Sequence, residues 1–132
     1  MEVAFENLKG KTITEIKGLE NGGDEVIFTT TDGCIYRMSH AQDCCESVLI
    51  DDVCGDIYDL IGETILVAEE NSSSDNPANI DQEFIERQDD SFTWTFYKLA
   101  TRKGYVDIRW YGESNGYYSE SVDFELVNVK QS

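Results

Sequence analysis

Residues 92 to 127 constrain the fold more than any other stretch, because they read as three consecutive strands separated by tight turns. Phe92-Thr93-Trp94-Thr95-Phe96-Tyr97-Lys98-Leu99 is dense in aromatic and β-branched residues, Arg102-Lys103-Gly104 supplies a turn, and Tyr105-Val106-Asp107-Ile108-Arg109-Trp110-Tyr111 alternates in character. Ser114-Asn115-Gly116 is a hairpin turn, and Tyr117 to Val127 follows as the last strand. Its period of two sends Val122, Phe124 and Leu126 inward and Ser121, Asp123 and Glu125 outward. Strands joined by turns this short run antiparallel.

The N-terminal third repeats the logic. Residues 12 to 19, Glu25 to Thr30 and Cys34 to Met38 read as a meander, punctuated by Asn21-Gly22-Gly23-Asp24 and Asp32-Gly33. Ser47 to Ile50 and Thr64 to Ala68 read as further short strands. Between them the period changes: Val53, Ile57, Leu60 and Ile61 fall on one face of a helix, predicted over residues 52 to 61, with Asp51 or Asp52 as cap and Gly62 as stop. Gly55 sits awkwardly inside it. Residues 71 to 90 are polar, hold the only proline, Pro77, and read as a mobile acidic loop. The expectation is one domain over residues 1 to 132. Its class is α+β: a curled, mainly antiparallel sheet of about seven strands with one short helix.

Composition narrows function. With 132 residues, about two-thirds of the unfolded surface can be buried, and 40% hydrophobic residues suffice for a core despite a net charge of -17. No apolar run approaches the roughly 18 residues that span a bilayer. The acidic N-terminus lacks a signal core, so a cytoplasmic protein is expected. The charge repels nucleic acid and anionic membranes and attracts basic surfaces. The expected partner is therefore a basic nucleic-acid-binding protein, with no direct contact to nucleic acid or membrane. A second copy of the chain is a further candidate.

The charge is uneven. Residues 40 to 90 hold fifteen Asp and Glu against one base, Arg87. On the predicted helix Asp52, Asp56, Asp59 and Glu63 form a stripe whose like charges at i, i+4 cost about 0.2–0.5 kcal/mol per pair. With Asp51, Glu69 and Glu70 they are the candidate partner-binding residues, a row of carboxylates resembling the phosphates of DNA. The competing reading is a solvated acidic face. Asp51-Asp52-Val53-Cys54-Gly55-Asp56 lacks the EF-hand spacing, so no calcium loop is expected.

His40, Cys44, Cys45 and Cys54 lie within fifteen residues, but H-x3-C-C-x8-C lacks the paired spacing of structural zinc sites. Thiols packed as small hydrophobes are expected, with neither metal nor cofactor. A nucleophilic Cys44 or Cys45 with His40 as base is the weaker reading, since negative surroundings raise a thiol's pKa. The aromatic hairpin is an alternative site: Arg109, Tyr111, Asn115 and Tyr117 could stack a base and hold a phosphate. Nothing matches a P-loop, dinucleotide fingerprint, nucleophile elbow or zincin.

Two blocks of sequence carry a resemblance. One runs His40-Ala41-Gln42-Asp43-Cys44-Cys45-Glu46-Ser47-Val48 and on through Cys54-Gly55-Asp56-Ile57-Tyr58-Asp59-Leu60-Ile61-Gly62. The other comprises Thr93 to Thr101, Arg109-Trp110-Tyr111-Gly112 and Ser114 to Ser119. Together they resemble a small uncharacterised domain family of bacteriophages and prophages, over roughly residues 8 to 127. The resemblance implies a phage setting and transfers no functional residue. The expectation that follows is a non-enzymatic inhibitor of a host defence nuclease, a CRISPR effector or restriction enzyme, acting through the acidic surface. The alternative is a protein that sequesters a nucleotide with the aromatic hairpin.

Overall fold

The computed structural model describes residues 1–78 and 80–129. Among the described residues eight strands form two four-stranded sheets, not one curled sheet of seven. The elements are β1 (Ile13–Lys17), β2 (Glu25–Thr30), β3 (Cys34–Ser39), β4 (Ser47–Cys54), β5 (Val67–Ser73), β6 (Ser91–Thr101), β7 (Gly104–Ser114) and β8 (Asp123–Val129). The first sheet has the order β1-β2-β3-β8 and the second β4-β7-β6-β5, with every strand pair antiparallel. The meander and the β6–β7 hairpin stand where the turn residues place them. The last strand begins later than expected, at Asp123, although Val122 and Phe124 are buried as its alternation requires.

One core fills the space between the sheets. Val26, Phe28, Tyr36, Met38 and Phe124 face Ile50, Tyr97, Leu99, Ile108 and Trp110. The Trp110 indole Nε1 donates to Met38 Sδ across the interior at 3.2 Å. A short 3-10 turn, Phe5–Leu8, inserts Phe5 between Tyr97 of one sheet and Phe124 of the other, with ring centroids at 4.7 and 5.2 Å. Each such buried aromatic contributes about 1.5–3 kcal/mol by removal from water.

The predicted helix over 52 to 61 does not form. β4 continues through Cys54, paired with β7, and only Ile57–Asp59 makes a 3-10 turn. The reason lies at Gly55, whose φ is +112° and whose Cβ, if present, would stand 2.3 Å from the Tyr105 carbonyl oxygen. The chain must break there, and Leu60 and Ile61 then turn toward the core from an irregular segment. The α-helix lies elsewhere. Helix α1 (Gln82–Glu86) falls within the stretch read as a loop, whose first residues, 71 to 73, belong to β5.

Candidate functional site

The second sheet has an outer face that the core does not use. Side chains alternate along β6 and β7, so Trp94, Phe96 and Lys98 lie beside Tyr111, Arg109 and Asp107 on that face. Glu69 and Asn71 of β5 and Asp52 and Cys54 of β4 extend the rows outward. Residues 74–78 and 80–90, between β5 and β6, fold over one end of this face as a strap. Phe84 of α1 packs on Trp94 and Tyr111, with centroids at 5.9 and 5.0 Å, and Trp94 Nε1 donates to Asn76 Oδ1 at 3.0 Å. Asn76 and Gln88 exchange amide hydrogen bonds across the strap. Trp94 is consequently fully buried without belonging to the main core.

Beyond the strap an open groove of about 330 Å³ remains. Phe96 supplies an apolar surface, and Asp52, Glu69 and Asp107 supply carboxylates around Lys98 and Arg109. A β-bulge between Ile50 and Asp52 shapes this wall: both Asp51 and Asp52 lie opposite the stretch where β7 offers Arg109. Asp51 then holds Arg109 through Nε at 2.8 Å and Nη2 at 2.6 Å, while the guanidinium lies over the Trp94 ring at 5.1 Å. The groove's second cation, Lys98, sits over Tyr105 at 5.4 Å. Cys54 shares a hydrogen bond with Asp52, its Sγ donating at 3.4 Å, and that bond together with burial pushes the thiol above its ordinary pKa. A group held protonated in this way is a poor nucleophile.

The predicted acidic residues disperse. With no helix there is no stripe of Asp52, Asp56, Asp59 and Glu63. Asp56 caps the 3-10 turn, its carboxylate accepting from Tyr58 N at 2.9 Å. The Asp59 carbonyl accepts from Thr101 Oγ1, and its side chain lies against Gly104. Glu63 makes a bidentate pair with Arg102, at 2.9 and 3.1 Å, which lowers its pKa. Asp51 is committed to Arg109. Only Asp52 and Glu69 reach the groove, while Glu70 lies on the opposite face of β5 beside Val122 and Phe124. Of the alternative set, Arg109 and Tyr111 are together on the outer face. Asn115 and Tyr117 are at the exposed tip of the next turn, where Asn115 Oδ1 accepts from Tyr117 N. Phe96, Lys98, Asn71 and Asp107 were not among the residues chosen from the sequence as site candidates, although the first two and Asp107 belong to the aromatic hairpin singled out there. Pairing the two hairpin strands and taking every second residue would have found Phe96, Lys98 and Asp107.

The loop after β3 has a separate arrangement. Glu46 is buried, and its carboxylate accepts from Asp43 N at 2.6 Å, His40 Nε2 at 2.9 Å and Cys44 N at 3.2 Å. These bonds, the Asp43 amide first, bring its carboxyl down to about 2. His40 Nδ1 faces the Ser121 carbonyl at 2.7 Å, so His40 ties this loop to the segment before β8. Cys44 and Cys45, expected as thiols, are joined to each other with S–S at 2.07 Å. Cys34 and Cys54 are free. Among the described residues no three His, Cys, Asp or Glu side chains converge as metal ligands, and no helix is long and apolar enough to cross a membrane.

A family model described as "Domain of unknown function (DUF7448)" matches residues 6–124. No curated protein and no solved structure matches the chain.

Proposed function

Because the chain belongs to that family of unknown function, we propose from its surface that it is a non-enzymatic binding protein whose acidic outer face engages a basic, nucleic-acid-binding surface of another protein. One observation carries the reading: both arginines of the hairpin are already paired with carboxylates. Arg109 is held by Asp51 and Arg102 by Glu63, leaving Asp52, Glu69 and Asp107 in the groove against Lys98. The strap adds exposed Asp75, Asp81, Glu83, Glu86, Asp89 and Asp90 against Arg87. Carboxylates spread over a sheet face and its strap present negative charge in the manner of a phosphate backbone, without competing for nucleic acid itself.

The target class is a host defence nuclease, an RNA-guided effector or restriction enzyme in the cytoplasm of an infected cell. The resemblance to phage and prophage domains supports that setting. The test adds the chain to DNA-cleavage reactions of both enzyme types at about 0.05 M and about 0.5 M salt. Inhibition is expected at low salt and relief at high salt. The variant Asp52→Asn, Glu69→Gln, Asp107→Asn should inhibit at least about tenfold less, about 1.4 kcal/mol. Full potency in a folded triple variant overturns the reading.

Sequestration of a nucleotide keeps one supporting contact, Arg109 stacked beside Phe96 and Trp94. A phosphate entering the groove would nevertheless meet three carboxylates and a guanidinium already neutralised. Calorimetry against mono- and cyclic oligonucleotides separates the two: a Kd of about 1 μM or tighter would place this alternative first.

A further inference from the structure

Two four-stranded sheets have four outer edges, and among the described residues other backbone hydrogen-bonds to part of three of them. Beside β1, Gly62 N donates to the Ile13 carbonyl at 2.8 Å. Along β4, Ile50 exchanges backbone hydrogen bonds with Gly22 and Gly23, at 2.7 and 2.8 Å. Along β8, Val3 N donates to the Phe124 carbonyl and Leu126 N to the Met1 carbonyl, at 3.0 and 2.8 Å. β5 is the exception. It ends its sheet, and although the 3-10 turn Phe5–Leu8 lies against it, among the described residues its backbone bonds to β6 alone. Every second residue of such a strand turns its N–H and C=O outward, to water or to an added strand. Glu69, Glu70, Asn71 and Ser72 are all exposed along it.

We propose that the β5 edge is a docking site for an extended, basic segment of the partner protein, which adds to the second sheet as a further strand. The proposal rests on the reading of the partner as basic and names how it is held. Backbone hydrogen bonds would supply the alignment, and charge would select the occupant. Glu69 stands on the outer face, at the entrance to the groove, and Glu70 on the opposite face. Side chains of an added strand alternate between the same two faces, so lysines or arginines of either phase meet a carboxylate. A second copy of the chain fits poorly: pairing β5 with itself brings Glu69 and Glu70 against their own kind, between molecules of net charge -17 each.

The test uses the full chain, isotopically labelled, and a short synthetic peptide of alternating lysine and valine. Its control has the same sequence with alternate backbone amides N-methylated, which keeps the charge and removes the ladder donors. The peptide is expected to protect amides within 69–73 from hydrogen exchange. The methylated control and the variant Glu69→Lys, Glu70→Lys should each bind at least about tenfold more weakly. Should that variant unfold, Glu69→Gln, Glu70→Gln takes its place, with weakening in the same direction. Equal binding of the two peptides, protection elsewhere, or no binding at low salt overturns edge docking. Equal binding would leave the acidic-surface reading intact, because that reading stands or falls on nuclease inhibition by the Asp52, Glu69, Asp107 variant.

Discussion

Gly55 and Glu46 are single residues on which local structure turns. Gly55→Ala would place a Cβ against the Tyr105 carbonyl at a backbone angle that side chains rarely adopt. A loss of more than about 1 kcal/mol is expected by urea unfolding, beyond the ordinary cost of a misplaced turn residue. Glu46 affects pH dependence. Its folded carboxyl lies near 2, below the ordinary value of 4.5, so its contribution is complete above about pH 4.5 and fades as pH falls toward 2. Glu46→Gln should lower Tm at neutral pH and flatten the acid limb of stability between those values, as followed by circular dichroism. Neither role was legible beforehand. Gly55 registered only as a blemish in a helix, and Glu46 as one acid among fifteen, because burial within a loop leaves no periodic trace.

Strands proved more legible than the segments between them. A two-residue period flanked by a glycine turn (Asn-Gly, Asp-Gly or Lys-Gly) is a local signal, and β2, β3, β6 and β7 follow it closely. The apolar spacing from Val53 to Ile61 is equally regular, but strand pairing with β7 and the break at Gly55 overrode it. The strap was read as a mobile loop because its acids mask Phe84, whose partners Trp94 and Tyr111 belong to the hairpin. Phe84→Ala should therefore detach the strap while the sandwich persists. Trypsin cleavage at Arg87 should accelerate and Trp94 fluorescence shift to the red. The stability loss should fall below the roughly 3–5 kcal/mol of a fully buried ring.

For the molecule as a whole, the charge of -17 opposes compaction and favours association with basic surfaces. Salt should therefore act in opposite directions on the two processes. Raising it from about 0.02 to about 0.2 M should lift Tm by a few degrees through screening, and over the same range should weaken a basic partner. Scanning calorimetry beside a binding titration tests both, and parallel trends would refute the electrostatic account. Net charge was readable from composition, but the groove was not. Asp52, Glu69 and Asp107 come from three strands and meet only because β4, β7, β6 and β5 lie in that order.

Asp51 is the surplus residue of β4. Inserting a residue in a strand ordinarily throws everything downstream out of phase, yet Val48 and Ile50 before it and Val53 after it all pack on the core. Its deletion would restore an uninterrupted ladder and leave that inward frame unchanged. It would also release Arg109, whose carboxylate partner it is. A single lost codon would thus weaken the groove's preference for cations while sparing the interior.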